Sequence, residues 1–279
     1  IKACNIYSKE FNVDTAYKNT RTQITWKNNM SEVSEPIKEK ISAKEAKEIG
    51  VRVRFLPDYE RFGMKKGIKT HPDLKMLMYK RVLDIAAISG KKVNVHWNQK
   101  QIQIQSFKDY IEYYLDNEDT PFVYESINDR WEVAIAFQGD DDFRSISFVN
   151  GIDTFLGGPH VDHVVNQIVK KLTAMAKSKA GKKSDLKIRP NYIKMRMWVF
   201  VNCKVENPSF ASQTKEMLTT KKFGSTCPIP DKLVANFAKK SGILKVVQQY
   251  AQHQANSGLS KTDGKKTRKI RGIPNLEDA

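Results

Sequence analysis

Cysteine is scarce in this chain: three residues among 279, at Cys4, Cys203 and Cys227. An odd number at such wide spacing excludes a C-x-x-C metal pair and a dense disulfide framework, and it suits a reducing, intracellular setting. Long apolar runs are also missing, and no stretch approaches the ~18 residues of a membrane span. The opening Ile1-Lys2-Ala3-Cys4 lacks the charged head and apolar stretch of a signal peptide, so a soluble, unsecreted chain with no membrane partner is expected. Because it opens on Ile within what reads as an ordered segment, we expect a piece of a longer protein. Internal repeats and low-complexity tracts are absent. Acidic residues are in deficit: 31 Asp and Glu face 48 Lys and Arg, leaving +17. Such excess positive charge is neutralised by a polyanion with release of counterions, which puts nucleic acid first among partners. What the chain does have is 40% apolar residues over 279 positions, enough to bury a core and, at roughly 150 residues per domain, to build about two domains.

Periodicity places the elements. Phe11, Val13, Ile24 and Trp26 alternate on two strands around a polar turn at 18–23, and Ser31 to Gly50 has the composition of an exposed loop with one short helical turn. Val51 to Phe55 is a strand ended by Pro57-Asp58. Leu74, Leu77, Met78, Val82, Ile85 and Ala86 mark a helix closed by Gly90, its stripe facing the first sheet. Val93–Trp97 and Ile102–Ile104 flank a hairpin turn, Phe107–Leu115 is a short helix, and acidic 116–121 is a domain boundary. Trp131 to Phe137 and Ser145 to Val149 read as a hairpin across 138–142, and a helix of four turns runs from Val161. Lys177 to Arg196, with eight basic residues and one acid, reads as an exposed loop. A strand at 197–201, a long polar excursion from Glu206 through Thr220 and a second helical pattern from Pro230 follow. Long polar loops often hold function.

Particular residues go further than periodicity. Ser147-Phe148-Val149-Asn150-Gly151-Ile152, followed by Gly157-Gly158-Pro159-His160-Val161, resembles the strand, glycine turn and helix that open the transducer domain of type IIA DNA topoisomerases. At matching spacing come Trp198-Val-Phe-Val-Asn202, Glu206-Asn-Pro-Ser-Phe210, Ser212-Gln213-Thr214-Lys215-Glu216 and Phe223-Gly-Ser-Thr-Cys227. Cys4-Asn-Ile-Tyr-Ser8, Phe55-Leu-Pro-Asp58, Arg130-Trp131-Glu132 and the closing 271–279 segment are similar to the eukaryotic-type enzyme. The resemblance covers nearly the whole chain. It implies an α+β fold: residues 1–118 as the C-terminal half of a GHKL ATPase domain, then residues 119–279 as a transducer domain with a ribosomal-protein-like βαβ fold and a long C-terminal helix leading to the cleavage core.

The resemblance also implies roles. Lys2 is similar to the lysine that ends the ATP lid. Gln213, Thr214 and Lys215 belong to a transducer loop that the family inserts into the ATP site. There the Lys215 ammonium meets the terminal phosphate, Gln213 offers an amide and Thr214 sets the loop. Lysine suits this task, since a compact cation stabilises charge developing on a transferred phosphoryl group, and its release on hydrolysis gives the loop two states. Lys177, Lys179, Lys182 and Lys183 stand where the family has a lysine-rich loop facing captured DNA, and contacts from them would go to phosphates without selecting sequence. ATP and Mg2+ are the implied cofactors, with the metal ligands outside this chain. Double-stranded DNA is the implied partner, and the family forms a homodimer through the ATPase domain. The chain alone is expected to be inactive. Spellings such as Ile152-Asp-Thr-Phe-Leu156 raise the expectation of a large cytoplasmic DNA virus as source, hence host cytoplasm if viral and nucleus if cellular.

Blander readings stand beside these. Any anonymous Gln-Thr-Lys is a solvated loop, and any one lysine of a basic run is a solubilising charge. Asp140-Asp141-Asp142 reads as a hairpin tip rather than a magnesium site, because Asp favours turns. His160 and His163 lack further ligands nearby, so His160 is read as structuring the glycine turn and not as a zinc ligand. Trp26, Trp131 and Trp198 read as core anchors. Two rival functions remain: a plain nucleic-acid-binding module, and another ATPase of the GHKL superfamily such as a mismatch-repair protein.

Overall fold

The computed structural model describes residues 1–115, 120–139, 142–180 and 187–263. Lys182, Lys183, Asp140 and Asp141 lie outside the described residues. The chain packs as two compact units, Ile1–Lys80 and Arg81–Ala279.

The first unit comprises α1 (Lys2–Ile6), β1 (Ser8–Tyr17), β2 (Thr20–Lys27), β3 (Glu32–Val33), β4 (Ile37–Lys40), α2 (Ala43–Ile49) and β5 (Val51–Pro57), then the start of α3 (Pro72–Ser89). Its antiparallel sheet runs β3-β2-β1-β5, with β4 also on β2. Register aligns Phe11 with Trp26 and Phe55, and Val13 with Ile24 and Val53, so apolar side chains share one face in rows, as strand alternation requires. Phe11 is buried at the centre of these rows, while Val51, Val53 and Phe55 on the edge strand stay exposed. The hairpin turn is tighter than the polar run suggested: Thr20 to Gln23 are paired strand residues, and Lys18 turns with φ 53. The 31–50 segment is likewise more ordered than the expected loop. It holds β3, β4 and α2, the last started by a capping box in which Ser42 and Glu45 each bond the other's backbone N–H.

The second unit continues with β6 (His96–Trp97), β7 (Lys100–Gln101), α4 (Phe107–Tyr114), β8 (Phe122–Asn128), β9 (Trp131–Phe137), β10 (Arg144–Val149) and β11 (Ile152–Asp153). After these come α5 (Pro159–Ala180), α6 (Pro190–Lys194), β12 (Met197–Cys203), α7 (Asp231–Ser241) and α8 (Ile243–Asp263). The main sheet has the order β11-β10-β12-β9-β8. Only β10 and β12 are parallel, joined through α5, which makes the expected βαβ unit. This corrects the hairpin reading of β9 and β10: β12, more than forty residues later in sequence, inserts between them. β8, unanticipated, forms the other edge.

Both faces of this sheet are covered. Trp131, Val133 and Ile135 of β9 and Met197, Val199 and Val201 of β12 meet Val161, Val164, Val165, Ile168 and Leu172 of α5, with α7 and α8 completing the core. On the opposite face Phe107 and Tyr110 of α4 pack edge-on against Phe148, at 6.0 and 5.8 Å between ring centres. Packing thus places α4 with the second unit, whereas the sequence reading drew its family-domain boundary at 118/119. The stripe read for α3 also differs, since Leu83, Asp84, Ala86 and Ala87 are buried while Leu77 and Ile85 are exposed. Lys177 and Lys179 belong to the last turn of α5 rather than to a loop, and Ile188, Ile193 and Arg196 of the supposed basic loop are buried. Among the described residues no helix is long and apolar enough to cross a membrane.

Candidate functional site

The 206–220 excursion is built, and its base is held first. Asn150, at φ 49 just after β10, clamps the backbone of Val205 from both sides: its amide nitrogen donates to the carbonyl at 2.9 Å and its oxygen accepts from the N–H at 2.8 Å. Glu206 then pairs with Arg130 at 2.6 Å. Beyond this point the chain folds back on itself. Phe210 and Leu218 bridge in antiparallel fashion, Ala211 N–H donates to the Met217 carbonyl at 3.0 Å, and Thr219 N–H donates to Ser209 at 2.9 Å.

Gln213, Thr214 and Lys215 form the tip. The Ser212 and Thr214 hydroxyls share a hydrogen bond of 2.6 Å, and Lys215 N–H donates to the Ser212 carbonyl at 3.1 Å. Lys215 takes a left-handed conformation, φ 61, uncommon for a residue with a side chain. Its Nζ lies 5.7 Å from the centre of the Phe210 ring, a cation–π contact. Gln213 and Thr214 are exposed and Lys215 is half-buried. Among the described residues Lys215 has no ion pair, so its charge is available to an anion.

This tip is docked on the glycine turn before α5. Leu156 N–H donates to the Glu216 carbonyl at 3.0 Å, and Leu218 N–H to the Gly157 carbonyl at 3.1 Å. Gly158 has φ +136, and a Cβ there would stand 2.3 Å from the Leu218 carbonyl oxygen. Glycine is required because backbone occupies the space of a side chain. Thr154 secures the turn from below: its N–H donates to Ser147 at 2.8 Å and its carbonyl accepts from Gly157 at 2.7 Å. Next to it, Asp153 meets Arg81 at 3.3 Å. Asn150, Thr154 and the Gly158–Leu218 contact escaped the sequence reading. Only the Asn-Gly and Gly-Gly pairs signalled backbone needing unusual freedom.

His160 is fully buried on the first turn of α5, its Nε2 3.2 Å from Thr154 Oγ1. Burial pushes its pKa down to about 4, so the ring is neutral near pH 7. His163 instead stacks near Trp131 and Phe223, so the two histidines do not converge on one ligand. Trp131 is fully buried, with its indole N–H donating to Ser225, whereas Trp26 and Trp198 are only half-buried. Cys203 and Cys227 are buried thiols pushed up to about 12, unsuited to nucleophilic work.

At the far end of α5, Lys177 and Lys179 are exposed. Eighteen residues of helix at 1.5 Å each put Lys177 about 27 Å along the axis from Pro159. One rigid helix therefore links the turn that carries the Lys215 tip to the basic end. Lys2 is exposed at the start of α1, in the other unit. The donors at the tip, the half-buried Lys215 ammonium and the exposed Gln213 amide, are of the kind that binds a polyphosphate. Among the described residues no group of three or more His, Cys, Asp or Glu is arranged to hold a metal ion.

The DNA gyrase B family profile matches residues 106–267. DNA topoisomerase 2 of Drosophila melanogaster is 40% identical over 289 aligned residues, covering 100% of this chain and 19% of that protein. In structure, the ATPase region of Saccharomyces cerevisiae topoisomerase II superposes with a TM-score of 0.75 at 38% identity, over 88% of this chain and 63% of that one. The ATPase and transducer domains of DNA topoisomerase II from Balamuthia mandrillaris give 0.80 at 32% identity, over 91% and 64%. The chain belongs to the type IIA DNA topoisomerase family and corresponds to its ATPase and transducer region. It spans about a fifth of the length of the Drosophila relative.

Proposed function

We propose that this chain is the nucleotide-responsive part of an ATP-dependent DNA topoisomerase II, coupling ATP binding and hydrolysis to the passage of one duplex through another. The observation that carries the reading is the Gln213–Lys215 tip, whose ammonium has no ion pair among the described residues and is held at the end of a folded-back loop docked on the turn before α5. Lys215 stabilises charge on the terminal phosphate, Gln213 hydrogen-bonds its edge and Thr214 shapes the turn. Lys2 is a further phosphate contact. ATP is the nucleotide, and Mg2+ comes with it on ligands outside this chain. The family-domain division at 118/119 assigns the nucleotide-holding part to residues 1–118 and the responding transducer to 119–279. The exposed apolar row Val51, Val53 and Phe55 supports the view that residues 1–118 are half of a larger ATPase domain, since apolar rows of this kind are normally covered.

Lys177, Lys179, Lys182 and Lys183 contact phosphates of double-stranded DNA, and the ATPase domains pair as a homodimer when nucleotide is bound. Displacement of the tip on hydrolysis then turns α5 and its basic end as a rigid body. The experiment is ATP turnover by the whole protein carrying Lys215→Ala. Turnover is expected to fall by about 100-fold or more while DNA binding without nucleotide persists, in line with other charge-stabilising groups. Unchanged turnover would show that the Lys215 ammonium does not stabilise the terminal phosphate. The mismatch-repair alternative is not favoured by 40% identity to a topoisomerase along the whole chain.

A further inference from the structure

A buried polar cluster lies beneath the glycine turn that carries the Lys215 tip. Ser147, Thr154 and His160 are 0%, 1% and 0% exposed. Thr154 OH donates to the Ser147 carbonyl at 3.0 Å, and Ser147 OH donates to the Thr154 carbonyl at 2.9 Å. Each residue thus bonds the other's backbone, tying the turn to β10. The two hydroxyls also face each other at 2.7 Å, and Thr154 Oγ1 lies 3.2 Å from His160 Nε2, so the three side chains form one connected hydrogen-bonding network. His160 Nδ1 is buried and has no partner among the described residues.

We propose that Thr154 and His160 are positioning residues for the Lys215 tip. The chain of contacts is short. Thr154 fixes the 154–157 turn, since its carbonyl receives Gly157 N–H at 2.7 Å. Two backbone groups of that turn, Leu156 N–H and Gly157 C=O, hold Glu216 and Leu218, which follow Lys215 in the loop. His160 closes the cluster from the first turn of α5, so the threonine, the helix and the tip are registered together. Loss of the cluster leaves Lys215 chemically intact and lets its carrier shift, and small misplacements of a charge-stabilising group are costly.

The proposal rests on the phosphate role of Lys215, and the test separates the two. In the whole protein, Thr154→Val and His160→Leu are compared with Thr154→Ser, His160→Gln and Lys215→Ala. The readouts are ATP turnover and deuterium exchange in peptides covering 154–158 and 209–220. Thr154→Val and His160→Leu are expected to lower kcat about tenfold with KM within about twofold, and to speed exchange of 209–220 while the middle of α5 stays protected. The conservative pair, which keep a hydroxyl and an amide N–H, should return kcat to within about twofold of the parent. If Lys215→Ala is impaired but Thr154→Val keeps parental turnover and exchange, the positioning role is wrong and the phosphate role stands. If Lys215→Ala is unimpaired, the phosphate role fails, and faster exchange of 209–220 in Thr154→Val would still support the positioning of the tip. Should the apolar variants not fold, Ser147→Ala removes only the hydroxyl that contacts the Thr154 carbonyl and hydroxyl: faster exchange of 209–220 supports the proposal, and unchanged exchange overturns it.

Discussion

Gly158→Ala probes the docking of the tip directly, because the added Cβ meets the backbone of the loop. A methyl group at this position would stand 2.3 Å from the Leu218 carbonyl oxygen and 3.1 Å from its nitrogen and carbon. Since these are backbone atoms, no rotamer relieves the contact, and the 216–218 segment has to move away. That movement breaks Leu218 N–H to Gly157 and Leu156 N–H to Glu216, each worth about 1 kcal/mol net. Placing alanine at φ +136 adds roughly 1–3 kcal/mol of backbone strain. The expected cost is therefore about 3–5 kcal/mol, felt either as global destabilisation or as release of the tip. Gly157→Ala is the matched control. It also has positive φ, but its nearest neighbour is Val161 Cγ2 at 3.8 Å, so only about 1 kcal/mol is expected. Urea denaturation gives the global term, and deuterium exchange of 209–220 gives the local one. If Gly158→Ala costs no more than Gly157→Ala and leaves exchange unchanged, the tip is not held by this backbone contact.

Two further outcomes are expected. The buried imidazole of His160 has its pKa lowered from 6.5 to about 4, so folding favours the neutral ring. Its contribution, about 3 kcal/mol by linkage, is present above pH 6.5 and is lost as pH falls toward 4. His160→Gln should flatten that part of the stability profile in urea melts between pH 4 and 7, and an unchanged slope would show that the ring is not desolvated. Replacing Lys177 and Lys179 together by alanine should reduce the slope of log affinity against log salt for duplex DNA by about 0.9 per lysine, equally for unrelated sequences. An unaltered slope would mean that the end of α5 does not touch phosphates.

The legible parts of this chain were those whose signals are local. The α5 stripe from Val161, the break at Gly242 and the alternation of Trp131, Val133 and Ile135 follow from periods of 3.6 and 2, and the structure has each. What escaped was set by distant residues. β10 pairs with β12 across an intervening helix, and nothing within either strand announces its neighbour. β8 was hidden because only Val123 along it is buried, so it lacks a clean alternation, and it follows an acidic, Pro-containing stretch. In the Lys177–Arg196 segment the charges masked Ile188 and Ile193, whose burial pins α6. The tip itself was recognised through its resemblance, while its support was not. Gly158 is explained only by the Leu218 carbonyl sixty residues later, and Thr154 looks ordinary until the turn brings it to His160, the one member of that support which the sequence did point to as structuring the glycine turn.

In the proposed function the Lys215 ammonium meets the terminal phosphate of bound nucleotide. The most direct measurement is a crystal structure of the whole protein with a non-hydrolysable ATP analogue. Lys215 Nζ is expected within about 3 Å of a terminal phosphate oxygen, the range of a charge-assisted hydrogen bond, with Gln213 alongside. Nucleotide bound with full occupancy while Lys215 remains over the Phe210 ring, remote from every phosphate, would contradict it.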